Sequence, residues 1–160
     1  MTVTSKKIKS RPALRAAVKK ARSAGKKVGF TNGCFDILHL GHVKYLEAAK
    51  KECDILVAGV NSDASVRRLK GPARPVNDEK ARLTVLAAVE SIDYVTLFGE
   101  DTPEKLIRSL TPDVIFKGGD WKEKDIVGGS HVKSAGGRVR VIPYVKGFST
   151  TRMIERLKKA

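Results

Sequence analysis

The sequence predicts an α/β fold in which a doubly wound, mostly parallel sheet of five strands carries helices on both faces. Apolar runs of strand length alternate with segments of helical periodicity, an order typical of parallel α/β sheets. The second of those runs, residues 54–60, is almost continuously apolar, as expected of a strand covered on both faces. In a chain of 160 residues we expect one domain over 1–160, with 1–10 as a flexible basic terminus.

Helical periodicity and capping residues define the elements of the first half of the chain. Leu14, Val18 and Ala21 form an apolar stripe that predicts an opening helix, which Gly25 closes. The elements expected after it are a strand over 28–30, a helix over 41–52, a strand over 54–60 and a short helix that begins at a cap, Ser62 or Asp63, and ends at Leu69.

The second half opens with a loop over 70–77, where two prolines and a glycine predict a mobile segment. Caps and apolar patterns predict the elements that follow it. A helix capped by Asn77 or Asp78, with the apolar residues Ala81, Val85, Leu86 and Val89, precedes a strand over 92–98. The next helix starts with the cap Thr102 and with Pro103, ends near Leu110 and is followed by a strand over 114–116. The last elements are a helix over 129–135, a strand over 138–144 and a helix capped by Ser149, in which Met153, Ile154 and Leu157 face inward.

Composition excludes several classes of protein. No run approaches the length of a membrane span or forms a signal-peptide core, so no membrane partner is expected. Cys34 and Cys53 are too few for a disulfide scaffold, which predicts a cytoplasmic protein. The net charge is +15, and residues 1–27 hold ten basic residues and no acidic one. We interpret this as the solvated face of the opening helix; a nucleic-acid or acidic-surface contact and a targeting segment are the alternatives.

Polar segments follow four of the predicted strands. They are residues 32–42, 61–63, 117–121 and 147–152. Because the carboxyl ends of parallel strands meet at one edge of the sheet, these segments are expected to converge there and to form the ligand site.

His39 and His42 lie at the junction of the first strand and its helix, in the order His-Leu-Gly-His. Free N–H groups and the positive end of the helix dipole favour a phosphate there, and imidazoles can stabilise charge that develops on it. Gly41 would allow the ligand to approach the backbone closely. A histidine pair without a ligand and a zinc site are the alternatives; His131 is the only other histidine, and neither a Cys-x-x-Cys nor a His-Glu-x-x-His accompanies the pair. The chain has no P-loop and no Gly-x-Gly-x-x-Gly, which argues against P-loop kinases and dinucleotide oxidoreductases.

Other polar residues of the expected site each have a structural alternative to a binding role. Lys44 and Arg82 would contact phosphate if they face the ligand, and would be surface charges otherwise. Residues 149–151 would bind phosphate through hydroxyl and N–H groups, or would only cap a helix. Residues 117–121 would hold a nucleobase, or would form an ordinary turn whose tryptophan closes the core. Cys34 is expected to pack rather than to act as a nucleophile, because no base partner is assigned to it.

The segment 33–42, Gly-Cys-Phe-Asp-Ile-Leu-His-Leu-Gly-His, resembles the signature of the cytidylyltransferase-like nucleotidyltransferases, whose sheet is Rossmann-like. A wider match, to the adenylyltransferases that make ADP-heptose for bacterial lipopolysaccharide, covers nearly the whole chain. It rests on residues 30–36, 59–63, 69–77, 117–121 and 147–151. Many members of that family are fused to a sugar kinase, so the resemblance here is to the stand-alone form, which implies that a separate kinase supplies the substrate.

The resemblance implies transfer of AMP from ATP to D-glycero-D-manno-heptose 1-phosphate, by a homodimer or larger homo-oligomer without a nucleic-acid partner. It implies that Mg²⁺ enters on the phosphates of ATP rather than on protein side chains. His39, His42 and Lys44 would be the catalytic residues, with the histidines stabilising the leaving pyrophosphate. The residues implied for binding are, for the nucleotide, Thr31, Asn32, Gly33, Cys34, Phe35, Gly41, His42, Arg82, Lys117, Gly119, Asp120, Ser149, Thr150 and Thr151, and, for the sugar phosphate, Asn61, Asp63 and Lys70.

Two alternative functions remain open from the sequence. One is a CTP-dependent cytidylyltransferase that acts on glycerol 3-phosphate or a similar small phosphate. The other, from a different class, is a basic nucleic-acid-binding module.

Overall fold

Five parallel strands form one sheet in the order β3-β2-β1-β4-β5, in a computed structural model that describes residues 2–119, 121–143, 145 and 147–159. The strands are β1 (Val28–Gly33), β2 (Ile55–Asn61), β3 (Tyr94–Phe98), β4 (Val114–Gly118) and β5 (Arg138–Ile142). The helices found among the described residues are α1 (Val3–Lys7), α2 (Arg11–Ser23), α3 (Leu40–Lys50), α4 (Asp63–Lys70), α5 (Glu79–Ala87), α6 (Glu104–Leu110), α7 (Gly129–Ser134) and α8 (Thr150–Leu157), with a 3₁₀ turn at Glu123–Asp125. The predicted doubly wound α/β fold is confirmed.

Alternate residues of the strands supply two cores, one on each face of the sheet. Phe30 and Val57 belong to the core that α2, α6 and α7 cover. Leu56 and Ala58, one residue out of step with Val57, belong to the core that α3 and α5 cover. Every residue of β2 is buried, so the interpretation of its apolar run as a strand covered on both faces is confirmed.

Side-chain caps begin several of the helices where the sequence predicts them. Ser62, Asp78 and Ser149 accept hydrogen bonds from the first turns of α4, α5 and α8. The prediction that Thr102 caps α6 is wrong. Pro103 occupies the cap position, without a side-chain hydrogen bond, because the helix begins one residue later, at Glu104.

Two helices bury different residues from those predicted. On α5, Val85 is exposed while Arg82 is buried, the reverse of what hydrophobicity indicates. On α8, no residue is buried, and Leu157, predicted to face inward, is 71% exposed. The helix starts beside the segment after β1, where the Thr150 hydroxyl donates to the carbonyl of Ile37, and so it lies at the rim of the sheet rather than on a face.

The N-terminal segment packs against the edge strand β3, although the sequence predicts a flexible terminus. Ile8 pairs with Val95, and the Lys9 N–H donates to the Val95 carbonyl at 2.9 Å. The Lys7 ammonium donates to the carbonyl of Val89 at 3.0 Å. An apolar residue within the basic run thus covers part of the sheet edge. Among the described residues, no helix is long and apolar enough to cross a membrane.

Candidate active site

The candidate site lies at the carboxyl edge of the sheet, beside the neighbouring strands β1 and β4. The chain runs outward from β1 to β3 and then crosses back to β4, so β1 and β4 flank the topological switch point. Across it the Lys117 ammonium donates to Asn32 Oδ1 at 3.2 Å. Burial lowers the pKa of Lys117. The first and third of the predicted polar segments are therefore in contact.

His39 and His42 stack on each other at the start of α3, with ring centroids 3.9 Å apart and planes 30° apart. His39 is the N-cap residue but makes no side-chain cap, which leaves the first N–H groups of the helix to an anion. The Nδ1 atoms of both rings are buried and have no hydrogen-bond partner among the described residues. A buried nitrogen without a partner costs about 1–3 kcal/mol, so such a pair calls for a ligand.

Both imidazoles are neutral near pH 7. Burial lowers the pKa of His39, and burial together with the nearby His39 lowers the pKa of His42 to about 4. A neutral imidazole can donate a hydrogen bond through one nitrogen while the other stays unprotonated. The free site therefore offers hydrogen bonds and a helix N-terminus rather than two full positive charges.

Phe35 and Gly41 shape the space around the histidines. Phe35 adopts a left-handed backbone conformation, with φ at +47°, which is strained for a side chain of this size. Its ring packs 5.6 Å from the ring of His42. A Cβ on Gly41 would lie 3.0 Å from the His39 ring and 3.3 Å from Cβ of Phe148, so this glycine makes room for the His39 side chain.

Arg82 lies inside the protein, although the sequence predicts either a ligand contact or a surface charge. Its side chain is 0% exposed. Nε donates to the Asn77 carbonyl at 3.0 Å, Nη1 to the Cys34 carbonyl at 2.6 Å, and Nη2 to Asp63 Oδ1 at 2.7 Å. One guanidinium therefore joins the segment after β1 to the starts of α4 and α5.

Asp36 is a site residue that the sequence analysis did not single out. Its buried carboxylate accepts hydrogen bonds from Arg74 Nε at 2.6 Å and from the N–H groups of Val76 and Asn77 at 2.9 Å. Burial opposes its ionisation, but these donors outweigh burial and lower its pKa. The contacts tie the loop over 70–77, predicted to be mobile, to the histidine segment. The sequence feature that could have indicated a buried carboxylate here is the position of Asp36 between two apolar residues, Phe35 and Ile37.

Some predicted binding residues lie at the rim with their polar groups engaged by the protein. The Ser149 hydroxyl caps α8, Thr150 donates to Ile37, and Thr151 is exposed. Gly119, with φ at +100°, donates its N–H to Ile142 at 2.9 Å. Asp120 lies outside the described residues.

The aromatic residue of the fourth-strand segment is at the surface. Trp121 is 48% exposed, with the Lys117 ammonium 5.4 Å from its ring centroid. The alternative in which this residue closes the core is therefore wrong. An exposed indole beside a cation is available to stack on a ligand.

Other predicted residues are engaged inside the fold or lie at the surface. Thr31 is buried and shares a 2.7 Å hydrogen bond with the Tyr45 hydroxyl. Asn61 is buried, and its amide donates to Ser65 at 3.0 Å. The ammonium of Lys44, in a side chain that is 57% exposed, pairs with Glu47 at 3.0 Å, and Lys70 is exposed. Burial raises the pKa of the Cys34 thiol despite nearby cations, which disfavours a thiolate nucleophile.

Comparisons with known proteins agree with this arrangement. A family model described as Cytidylyltransferase-like matches residues 30–156. Two curated relatives, each named Bifunctional protein HldE, come from Trichlorobacter lovleyi and Syntrophotalea carbinolica. Each is 54% identical over 151 residues, which cover 94% of this chain and 31% of the relative. The chain thus spans about a third of the length of these relatives.

Two solved structures share the fold. The lipopolysaccharide core biosynthesis protein from Thermoplasma volcanium has a TM-score of 0.63 and 32% identity, over 78% of this chain and 100% of that chain. A pantoate-beta-alanine ligase from Francisella tularensis has a TM-score of 0.57 over 94% of this chain and 76% of its own. At 13% identity, the second shows the fold alone.

Proposed function

The chain belongs to the cytidylyltransferase-like family of nucleotidyltransferases, and we propose that it transfers AMP from ATP to D-glycero-D-manno-heptose 1-phosphate, releasing pyrophosphate. The observation that carries nucleotidyl transfer is the stacked pair His39 and His42, with unpartnered Nδ1 atoms at a helix N-terminus. The heptose substrate is supported by the sequence motifs and by the solved relative described as a lipopolysaccharide core biosynthesis protein. The comparisons favour neither the CTP-dependent alternative nor a nucleic-acid-binding module.

The proposed reaction is one in-line displacement. A phosphate oxygen of the sugar 1-phosphate attacks the α-phosphorus of ATP, the bond from that phosphorus to the β-phosphate bridge breaks, and pyrophosphate leaves with the electron pair. His39, His42 and the first N–H groups of α3 would bind the triphosphate where this negative charge grows. The protein contributes positioning and electrostatic stabilisation, and no covalent enzyme intermediate is needed.

The family uses a divalent metal with the nucleotide, and we propose that it is Mg²⁺ held by the phosphates of ATP. The described residues contain no group of three His, Cys, Asp or Glu side chains that could hold an ion. When bound, the ion would supply positive charge to the phosphates.

We propose that the nucleotide lies over the junction of the segment after β1 and the segment after β4. Asn32, Gly33 and Phe35 would line it on one side, and Lys117 and Gly119 on the other, where Trp121 offers a stacking surface. The roles implied by the family resemblance stay part of this proposal for five other residues. Thr150, Thr151 and Asp120 would bind the nucleotide, Lys44 would be catalytic, and Lys70 would bind the sugar phosphate. Arg82, Asp63, Thr31 and Asn61 would act by holding the loops, because their polar groups already bind the protein.

A cytoplasmic location and a homo-oligomeric state, a dimer or larger, complete the proposal. The two cysteines are free, as a reducing compartment requires. The homo-oligomeric state rests on the family resemblance, and Phe148 and Leu157, which are 42% and 71% exposed, are available to such a contact. Light scattering during size-exclusion chromatography measures the state; a monomer at working concentrations would contradict it.

A pyrophosphate-release assay with two nucleotides and two acceptors tests the proposed reaction. ATP and CTP are each offered with heptose 1-phosphate and with glycerol 3-phosphate, in Mg²⁺. We expect turnover with ATP and heptose 1-phosphate to exceed every other pair at least tenfold. Preference for CTP with glycerol 3-phosphate would replace the proposed substrates, and no turnover with any pair would refute the reaction. Assays without acceptor control for hydrolysis of the nucleotide.

A further inference from the structure

The edge of the sheet opposite the candidate active site carries a basic cleft of about 540 Å³. It lies where β1, β4 and β5 begin, whereas the histidines follow the end of β1. β1 has six residues, so about 16 Å of strand separates the two sites. The charged residues that line this basic cleft are Arg22, Lys26, Lys27, Asp113 and Arg138.

Carboxylates pair with both arginines that line the basic cleft but not with its lysines, and Arg138 Nη2 donates to Glu52 Oε2 at 2.9 Å. Asp113 Oδ1 accepts from Arg22 at 2.9 Å, and Oδ2 accepts from the Val28 N–H at 2.7 Å. Asp113 is therefore engaged in orienting the Arg22 guanidinium. The side-chain ammonium groups of Lys26 and Lys27 have no partner among the described residues. An excess of positive charge remains in the basic cleft.

Helix α2 extends this positive charge along the surface. Arg15, Lys19 and Arg22 follow one another at spacings of four and three residues, which places them on one side of the helix. Arg15 and Lys19 are exposed and lack partners in the part of the chain that the structure describes. The helix has no acidic residue in its sequence. Like charges at this spacing repel one another, and a bound anion would relieve the repulsion.

We propose that the basic cleft and the adjoining side of α2 form a second binding site, for a phosphate-bearing anion, separate from the nucleotide site. A guanidinium fork held by Asp113 suits phosphate oxygens, and the two free ammonium groups add charge. Gly25 and Gly136 have open space where a Cβ would stand, so a ligand can approach the backbone there. The cleft admits more than one phosphate group, as in a soluble polyphosphate or a lipid headgroup.

The double variant Lys26→Ser/Lys27→Ser tests this site in the full-length chain. Lys158→Ser/Lys159→Ser, at exposed positions near the end of α8, removes the same charge and is the matched control. Three probes are used: sedimentation with vesicles of equal parts phosphatidylglycerol and phosphatidylcholine, calorimetric titration with inorganic triphosphate, and a fluorescent DNA duplex. Turnover is measured for both double variants and should equal that of the unmodified protein. Unchanged turnover also shows that the variants are folded.

We expect K26S/K27S to weaken vesicle binding about thirtyfold, the scale of losing two lysine contacts with an anionic surface, or to remove one triphosphate site. K158S/K159S should change either signal less than twofold. A loss confined to vesicles identifies a lipid headgroup as the source of the phosphate, and a loss confined to triphosphate identifies a soluble ligand. Equal binding by both double variants, or no binding to vesicles and no triphosphate site sensitive to K26S/K27S, would overturn the proposal. Selective loss of duplex binding alone would also overturn it.

Discussion

Replacement of Arg82 by methionine removes the guanidinium that joins three segments of the site. Arg82→Met keeps the length of the side chain but eliminates the hydrogen bonds to Asn77, Cys34 and Asp63. Removing one partner of a buried ion pair costs about 3–5 kcal/mol. The side chain of Asp63 is 23% exposed, so water can partly solvate its carboxylate once the guanidinium is removed. We therefore expect the low end of that range, a loss of about 3 kcal/mol in the free energy of unfolding.

Urea denaturation at pH 7 measures this loss, and Arg68→Met is the matched control. Arg68 pairs with Asp101 at the surface, where the two side chains are 49% and 60% exposed, and its loss should cost less than about 1 kcal/mol. Arg82→Lys keeps the charge without the fork and should fall between the two. If R82M destabilises no more than R68M, the argument from burial is refuted. A fall in kcat of folded R82K at constant KM for ATP would indicate a positioning role, whereas a raised KM would indicate direct contact.

Four further predictions concern the histidine segment. His39→Ala and His42→Ala should each lower turnover about 10²-fold, the scale of one lost transition-state donor; unchanged pyrophosphate release in both would remove the central role of the pair. Because the pKa of His42 falls from 6.5 unfolded to about 4 folded, the unfolded chain binds more protons between these values, and stability falls as pH drops. Between pH 7 and pH 5 we expect this to cost about 1–2 kcal/mol, after allowance for partial exposure, and His42→Gln should lose that component in urea titrations. Gly41→Ala should push the His39 ring aside and lower turnover, while Gly99→Ala, where a Cβ meets nothing closer than 3.6 Å, should not. Asp36→Asn should speed proteolysis of the loop after α4, and an unchanged cleavage rate would show that other contacts hold it.

Much of the fold follows from local patterns that the chain carries. The apolar run of β2, the stripe of α2 and the serine caps of α4 and α8 are each recognisable within about ten residues, and the structure confirms them. The position of the candidate site follows as well, because polar segments after parallel strands meet at one edge. Errors occurred where local pattern and packing disagree, as at Leu157, whose helix lies at the rim.

The charged network around the histidines could not be predicted in the same way. Arg82 bonds to Cys34, 48 residues earlier, and the Asn77 N–H bonds to Asp36, 41 residues away. Whether a charged side chain is buried depends on whether such distant partners arrive in the right geometry. Hydrophobic periodicity carries no information on that point, so it assigned Val85 rather than Arg82 to the interior.

His39 and His42 show which properties of the site follow from local sequence and which follow from tertiary packing. Their position, where the first strand meets its helix, can be predicted from the sequence because the spacing of the histidines, the glycine and the apolar flanks are local features. Packing in three dimensions makes the two rings stack, buries their Nδ1 atoms and lowers the pKa of His42 to about 4. Those properties come from desolvation and ring contact, which exist only once Phe35 and the rest of the rim have closed around the pair.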